Sequence, residues 1–346
     1  MTSQEADRYG GQSVDDAAAS DFAAEYAERG QLLPPVAIVI AAYNEEAAIG
    51  PVIEALPASI CGLATATIVV VDGSVDGTAK EAGAHGALVC DVPVNRGQGA
   101  ALRLGYRLAR EGGARYIVTT DADGQYDPAD AQGLLEPVLA DDADFVTGSR
   151  TLGSEETRDP VRKLGVRLFA ATISLLTGQR VTDPSFGMRA MRAEVTGAIQ
   201  LQQPQYQAAE LLIGVIAGGF RVAERPATIR RRRVGESKKG HNVLYGLRFA
   251  GVILGTWWRE RHRHQRVTDV DLNSSPADAA RRRAADADRA AGTAGPADAS
   301  GAADAGVADG APAGAAADAP SLAALTLGEP ADLCTEPLAP RSAKRT

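Results

Sequence analysis

The chain has few cysteines, no signal-like N-terminus and no long hydrophobic run. Its three cysteines among 346 residues, Cys61, Cys90 and Cys334, show neither metal-ligand spacing nor the even number that a disulfide framework needs. This usage fits a reducing compartment. No basic region followed by an apolar one opens the sequence, so no signal peptide is evident. No apolar run reaches the roughly 18 residues that indicate a spanning helix, which argues against a transmembrane segment.

Large apolar residues are scarce at both ends of the chain. Residues 1–33 are polar and acidic, and from about Thr268 onward Ala, Asp, Gly, Pro and Ser predominate, with no aromatic residue. Such segments bury too little apolar surface to offset the entropy lost on ordering. We therefore expect disordered tails at 1–33 and 265–346, with a short helix at 17–29 as an alternative, and one folded domain at 34–264.

The charge is unevenly distributed along the chain. The formal net charge is −8, but much of the acid lies in the tails, and the end of the folded part has basic clusters at 230–233, 238–239 and 259–263. A membrane surface or an anionic substrate would attract this region. No recognised nucleic-acid module accompanies it, so nucleic acid is not expected as a partner.

Two apolar segments have an ambiguous location. Residues 243–258 contain one arginine and end in two tryptophans, and residues 164–177 follow Arg162 and Lys163. Both segments are predicted helices. Each suits a helix in the membrane interface or a helix packed on the core of the domain, and the sequence leaves both possibilities open.

Apolar, β-branched runs alternate with helical spacing in the first half of the domain. The strands are predicted at residues 36–41, 67–71, 86–90, 116–120 and 145–147. The helices are predicted at residues 44–56, from about 76, at 97–111 and at 127–140. This alternation predicts a three-layer α/β/α sandwich with a mainly parallel sheet. Farther along, residues 219–225 and 227–231 are predicted as two strands interrupted by Pro226.

Polar or glycine-rich loops follow four of these strands. In the most informative loop, Asp121 and Asp123 come directly after a buried strand and precede Gly124 and Gln125. Ligands bind at the carboxyl end of a parallel sheet, and hard oxygen donors suit Mg²⁺ or Mn²⁺ that carry phosphates. The alternative is an acidic turn that caps the next helix. The other three loops are Tyr43-Asn44-Glu45-Glu46, Asp72-Gly73-Ser74-Val75-Asp76 and Asn95-Arg96-Gly97-Gln98-Gly99.

Each of these three loops also has a purely structural interpretation. Glu45 and Glu46 suit the first turn of a helix, where acids complement the dipole, and Asp76 suits an N-cap. The small residues around Gly97 would let a helix N-terminus approach a phosphate, or they form only a tight turn. The occurrence of all four loops at one edge of the sheet favours a ligand site.

In this order the four motifs resemble those of family-two glycosyltransferases with the GT-A fold. The most similar branch is the dolichol-phosphate mannose synthase type, which uses polyprenyl-phosphate acceptors, and the resemblance covers residues 34–239. It implies a Rossmann-like GT-A fold and an inverting, metal-dependent transfer of a hexose from a UDP- or GDP-linked sugar to a lipid phosphate. It also implies a cytoplasmic protein in peripheral contact with the inner face of the membrane.

The resemblance implies a role for individual residues. Mg²⁺ or Mn²⁺ would be held by Asp121, Asp123 and Gln125. The nucleotide sugar would contact Ala42, Tyr43, Glu45, Asp72, Gly97 and Asp121. The acceptor phosphate would contact Arg150, Arg162, Arg232 and Ser237. Catalysis would depend on Asp121, Asp123 and Arg232. The segment from Asp183 to Arg189 resembles a further family motif, and Val71 stands where the family usually has an aspartate.

Two other functions stay open. A hydroxyl acceptor would require a carboxylate base within hydrogen-bond reach, and Glu210 is the candidate, although an exposed glutamate on a helix surface is the commoner case. A non-catalytic nucleotide-sugar-binding or scaffolding protein is the alternative of another class. A sugar-1-phosphate nucleotidyltransferase is disfavoured, because Tyr43-Asn44-Glu45 stands where that class needs a glycine-rich basic loop.

Overall fold

An eight-stranded sheet is the centre of the computed structural model, which describes residues 13–27, 33–156, 160–231 and 242–267. The strands are β1 (Val36–Ala42), β2 (Ser59–Ile60), β3 (Leu63–Asp72), β4 (Leu88–Val92), β5 (Tyr116–Asp121), β6 (Phe145–Glu155), β7 (Arg189–Arg192) and β8 (Val222–Ile229). The helices in these ranges are α1 (Val14–Ala27), α2 (Glu46–Ala55), α3 (Thr78–Ala84), α4 (Gln98–Glu111), α5 (Asp130–Leu139), α6 (Pro160–Thr177), α7 (Ala193–Ala198), α8 (Gln207–Ala217) and α9 (Asn242–Val267).

The strands follow the order β4-β3-β1-β5-β7-β6-β8, and β2 forms a short hairpin with the start of β3. Strands β4, β3, β1 and β5 are parallel, and so are β6 and β8. Strand β7 is antiparallel to both of its neighbours. The mainly parallel sheet is therefore confirmed, with β7 as an addition. The carboxyl ends of β1, β3 and β5 lie at one edge, where the predicted ligand loops begin.

Helices cover both faces of the sheet. In β1, Ala37 and Val39 belong to a core that includes side chains of α1, α4, α8 and α9. Their neighbours Ile38 and Ile40 point to the opposite face, where α5 packs over the first and α2 and α3 over the second. Alternation of buried residues along one strand is the mark of a sheet that is covered on both sides. The three-layer sandwich is confirmed.

One strand prediction is wrong. The two strands predicted around Pro226 are a single strand, β8, because Pro226 lies within it and pairs with Ser149. β8 is the outermost strand, and its register against β6 shifts between Ser149 and Ser154. A proline, which has no N–H to donate, is tolerated on an edge strand or at a bulge, and both conditions hold here.

Part of the N-terminal segment that we expected to be disordered is helical. Helix α1 occupies residues 14–27, close to the alternative helix at 17–29, and its Ala18 and Phe22 are buried against the sheet. The Tyr26 hydroxyl accepts a hydrogen bond of 2.9 Å from the Val89 amide of β4. Small alanine side chains allow this close approach, whereas composition alone indicated too little apolar surface to fold.

The two ambiguous apolar segments form α6 and α9, which pack against each other. The rings of Phe169 and Phe249 are 4.7 Å apart, and the Trp257 indole donates a 2.8 Å hydrogen bond to the Leu176 carbonyl. Phe249 and Ile253 are buried in the core. One side of α9 thus packs in the core of the domain. In the described ranges, no helix combines the length and apolarity required to cross a bilayer.

The packing of α1 predicts that this helix contributes to the stability of the domain. Phe22→Ala removes a buried ring that contacts Tyr26, and we expect it to lower the free energy of unfolding by about 2 to 4 kcal/mol. Urea denaturation of the full chain measures this change. Glu25→Ala, an exposed position on the same helix, is the control and should leave the midpoint unchanged. Equal midpoints for both variants would contradict the packing of α1 on the domain.

Candidate active site

Two partly exposed carboxylates lie where β5 ends. Asp121 is the last residue of β5, and its Oδ1 accepts a 3.0 Å hydrogen bond from the side-chain amide of Gln98, the first residue of α4. Asp123 follows in a turn in which its Oδ1 accepts a 3.1 Å hydrogen bond from the Gln125 amide. Strand β5 and helix α4 therefore fix Asp121 from two sides, and the turn fixes Asp123.

The donor set at this turn suits a hard divalent ion that arrives with phosphates. Gln125 is attached to the end of β8, because its side-chain nitrogen donates to the Arg230 carbonyl at 3.3 Å and its own carbonyl accepts from the Arg230 amide at 2.7 Å. The described residues contain no cluster of three or more His, Cys, Asp or Glu side chains arranged to hold a metal. Mg²⁺ commonly takes only one or two carboxylates and completes its shell with water and substrate phosphate. Asp121 and Asp123 are two such carboxylates, and the predicted role of Gln125 as a third ligand stays a prediction.

The Gly187 backbone forms a floor beneath the Asp121 carboxylate. The Gly187 amide donates to the Tyr126 hydroxyl at 2.8 Å, and its carbonyl accepts from Thr119 Oγ1 at 2.7 Å. A Cβ added at Gly187 would lie 2.7 Å from the Tyr126 hydroxyl and 3.0 Å from Asp121 Oδ2. Burial raises the pKa of Tyr126 well above its ordinary value, and the charge of Asp121 adds to this effect. A side chain at position 187 would therefore force Tyr126 or Asp121 to move.

Gly187 and Tyr126 did not emerge as site residues from the sequence. The signal was present, since Gly187 lies in the segment that resembles a family motif and Tyr126 directly follows Gln125. Their proximity depends on β7 pairing with β5. Because β7 was not predicted, the contact between the two segments could not be anticipated.

The loops after β1 and β3 brace each other. The Asn44 amide donates to Ser74 Oγ at 2.9 Å, and Asn44 Oδ1 accepts from the Val75 amide at 2.9 Å. Glu46 Oε2 accepts from the Gly77 amide at 3.1 Å, so the structural interpretation holds for Glu46. Tyr43 is 39% exposed at this edge. The nucleotide-sugar roles of Ala42, which is buried, and of Tyr43 and Glu45 stay predictions.

Asp72 is buried beneath the loop that precedes α4. It is 2% exposed, and its Oδ2 accepts hydrogen bonds from the amides of Arg96 (2.9 Å) and Gly97 (2.7 Å). Its Oδ1 has no hydrogen-bond partner and lies 3.5 Å from Arg96 Nε. The Asp72 carboxylate therefore binds the amides next to the start of α4, where the sequence suggested that a phosphate could bind. Gly97 has φ near 96°, and a Cβ there would meet the Pro204 carbonyl at 2.5 Å.

Arg150 lies in a buried ion pair with Asp183. Its Nε is 2.6 Å from Asp183 Oδ2, and its Nη2 donates to Ser185 Oγ at 3.1 Å. Burial alone would lower the pKa of Arg150, but the charge and hydrogen bonds of Asp183 raise it above its ordinary value. The side chain therefore anchors the segment that carries Gly187. This position does not support the predicted contact of Arg150 with an acceptor phosphate.

Glu210 is neither an exposed helix residue nor a base with an accessible carboxylate. It is fully buried, and its two oxygens accept hydrogen bonds from the Gln202 amide (2.9 and 3.0 Å) and the Gln203 amide (2.9 Å). Arg259 of α9 lies 2.9 Å from Glu210 Oε1. The prediction of Glu210 as a catalytic base is corrected, because these partners occupy both oxygens.

The remaining acceptor residues are only partly described. Arg162 lies in the first turn of α6, half-buried. Arg232 and Ser237 lie outside the described residues, so their predicted roles stay predictions. The described segment that precedes Arg232 is fixed by an ion pair between Arg230 and Asp127. Asp127 lies shortly after the turn that contains Asp123.

Helix α6 carries an apolar stripe at its surface. The stripe consists of Val161, Leu164, Leu168 and Leu175, and each of these side chains is at least 62% exposed. Their spacing places them on one face of the helix. Exposed Lys163 and Arg167 accompany the stripe. Helix α9, which packs against α6, adds exposed Leu254 and Trp258. An exposed apolar face of this kind indicates an interaction surface.

Known structures share this fold. The glucosyl-3-phosphoglycerate synthase of Mycobacterium tuberculosis, in complex with Mn²⁺, UDP and glucosyl-3-phosphoglycerate, superposes with a TM-score of 0.53 at 23% identity. The superposition covers 69% of this chain and 83% of that structure. The GT-A fold implied by the motif resemblance is confirmed.

Sequence relatives give the family. The model for "Glycosyl transferase family 2" matches residues 37–199. A dolichyl-phosphate hexose transferase of Haloferax volcanii is 35% identical over 203 residues, or 59% of this chain and 86% of that protein. An undecaprenyl-phosphate mannosyltransferase of Micrococcus luteus is 31% identical over 225 residues, or 60% of this chain and 89% of that protein. The chain is therefore a glycosyltransferase and belongs to glycosyl transferase family 2.

Proposed function

We propose that this enzyme transfers a hexose from a nucleoside-diphosphate sugar to a polyprenyl phosphate, with inversion and with Mg²⁺ or Mn²⁺ as cofactor. The observation that carries this proposal is the Asp121–Asp123 pair at the end of β5, above the Gly187 floor. The relatives named for dolichyl phosphate and undecaprenyl phosphate support the lipid acceptor. The structural neighbour that contains Mn²⁺ and UDP supports the donor class and the metal.

The donor would bind along the loops that follow β1, β3 and β5. Asp121 and Asp123 would hold the divalent ion, which as a Lewis acid neutralises charge on the departing diphosphate. Gln98 keeps the Asp121 carboxylate oriented. Tyr43 presents an exposed ring to the nucleobase. Asp72 Oδ1, which is buried without a hydrogen-bond partner, would accept a donor group of the base.

The acceptor requires no base from the protein. A phosphate monoester oxygen is already ionised near neutral pH and can attack the anomeric carbon from the face opposite the leaving diphosphate. This chemistry agrees with the occupied oxygens of Glu210. Arginine forks suit phosphate geometry, and Arg162 together with Arg232 would supply them, with Ser237 as a further donor. Arg150 would instead position the 183–189 segment.

The apolar stripe of α6 would bring the enzyme to its lipid substrate. A helix with exposed leucines on one face and basic residues beside them lies in the membrane interface with the leucines immersed. Lys163 and Arg167 would meet anionic headgroups, and Trp258 of α9 would extend the surface. The protein would then act as a peripheral enzyme at the inner face of the membrane.

The transfer assay tests the reaction directly. Purified protein with Mn²⁺, UDP- or GDP-linked hexoses and a polyprenyl phosphate should form a glycosylated lipid phosphate. Asp123→Asn should reduce turnover by roughly 100-fold or more, because one of two carboxylates for the ion is lost. Asp142→Asn, an exposed acid in the turn after α5, is the control with the same charge change. An unaffected rate in Asp123→Asn would remove the metal assignment, and transfer only to small hydroxyl acceptors would overturn the lipid acceptor.

A second prediction separates the lipid-phosphate reaction from a hydroxyl acceptor with a protein base. Glu210→Gln should lower the free energy of unfolding by about 2 to 3 kcal/mol, because Arg259 and two amides lose a charged partner. The protein that stays folded should retain its kcat and its pH profile. A loss of roughly 100-fold or more in kcat with unchanged stability would instead identify Glu210 as a base.

The membrane contact predicts a defect in vesicle binding. Leu164→Ser with Leu168→Ser should weaken sedimentation with vesicles of anionic lipid by about tenfold, because two immersed leucines are lost. Activity towards a water-soluble, short-chain acceptor should be unchanged. Leu152→Ser, also an exposed leucine but on β6, is the matched control. Equal vesicle binding by all three proteins would show that α6 does not contact the membrane.

A further inference from the structure

A cavity that includes none of the donor-loop residues lies alongside α4. Its volume is about 460 Å³, and it is an open cleft lined by residues of α1, α4, α7 and 199–202. Neither Asp121 nor Asp123 lines it. Cavities of roughly 300 to 1,000 Å³ are the usual size for small-molecule sites. The proposed transfer reaction assigns no role to this space.

Three arginines of one helix line the cavity. Arg103, Arg107 and Arg110 recur at intervals of four and three residues, which places them on one face of α4 within about 10 Å of helix length. Like charges at such spacings destabilise a helix. The arrangement therefore requires compensation from another group.

Only one of the three arginines is compensated within the described part of the chain. Arg107 pairs with Asp16 at 2.6 Å and with Glu111 at 2.7 Å. Arg103 donates to the Gln203 carbonyl at 3.1 Å, and Arg110 donates to Thr196 Oγ1 at 2.6 Å, and both of these acceptors are neutral. Asp15, the carboxylate that also lines the cavity, pairs with Arg96.

Arg110 is in a less favourable environment than an exposed arginine. Burial lowers the pKa of its guanidinium, the charge of Glu111 opposes this effect, and the charge of Arg107 adds to it. A bound anion would relieve both the desolvation and the repulsion. Thr196, Gln200 and Gln202 add neutral polar groups to the lining.

We propose that this cavity binds a small phosphate-bearing anion between Arg103 and Arg110, at a site separate from the donor and acceptor sites. The planar guanidinium presents paired donors that match phosphate oxygens. Two such groups without a carboxylate partner, together with the side-chain amides of Gln200 and Gln202, would supply donors for one phosphate group. The Thr196 hydroxyl, which donates to the Ala193 carbonyl, fixes Arg110 at this site.

The cavity is connected to the donor loop through residues 199–204. The Gln203 carbonyl that Arg103 holds would lie 2.1 Å from a Cβ at Gly99, and the Gly99 amide donates to the Pro204 carbonyl at 2.8 Å. A ligand that engages Arg103 changes the contacts of this segment. Hydrogen exchange of the backbone amides of residues 199–203 therefore reports on occupancy.

Calorimetry of the full chain with inorganic pyrophosphate, in the absence of divalent metal, tests the proposal. We expect saturable binding that Arg103→Gln and Arg110→Gln each weaken by about tenfold or more, the effect of one lost charged hydrogen bond. Glutamine at 110 can keep the contact with Thr196, so the fold should be retained. Arg110→Lys should recover part of the affinity. Arg225→Gln, an exposed arginine on the edge strand β8, is the control with the same charge change.

Two further measurements locate the ligand. Asp121→Asn should bind pyrophosphate with wild-type affinity, and pyrophosphate should slow hydrogen exchange in 199–203 of the wild type but not of Arg110→Gln. Wild-type affinity in both glutamine variants would overturn the proposal, as would loss of binding in Asp121→Asn. Unfolding midpoints measured without ligand confirm that each variant is folded.

Discussion

The close contact of the Gly187 backbone with Asp121 and Tyr126 holds the active site together. It joins the end of β5, the turn containing Asp123 and the segment between α6 and β7, which are far apart in sequence. Arg150 and Asp183 fix the far end of the same segment through a buried ion pair. Any side chain at position 187 would displace either the carboxylate or the phenol, so the position of the Asp121 carboxylate depends on the absence of one Cβ.

The acidic residues around the candidate active site fall into a buried group and a partly exposed group. Asp72, Asp183 and Glu210 are almost fully enclosed, and each accepts hydrogen bonds from backbone amides. Asp121 and Asp123 are partly exposed at the sheet edge. A buried carboxylate must satisfy its oxygens within the protein. Both oxygens of Asp183 and of Glu210 are occupied in this way, whereas Asp72 keeps Oδ1 without a hydrogen-bond partner. The two exposed acids are the ones that suit a metal-bound diphosphate.

The sequence predicted local features well and distant contacts poorly. The alternation of apolar runs located β1, β3, β4, β5 and the start of β6, but not the two-residue β2. The polar loops after these strands located Asp121 and Asp123. Strand β7 was missed because it has only four residues, Arg-Ala-Met-Arg, without a β-branched side chain. The roles of Arg150 and Glu210 depend on Asp183 and Arg259, which lie 33 and 49 positions away. Nothing local indicates such partners. The sequence did not indicate that α1 packs on the domain, because each of its alanines buries little apolar area although together they pack closely.

The two outermost strands of the sheet, β4 and β8, offer few free amides to a strand of a neighbouring molecule. On β4 the Val89 amide is already donated to the Tyr26 hydroxyl of α1, and on β8 Pro226 has no amide to donate. Exposed strands with unpaired amides invite intermolecular strand addition and aggregation. Here helix α1 shields one outer strand and a proline interrupts the other, so the sheet resists extension into a neighbouring molecule.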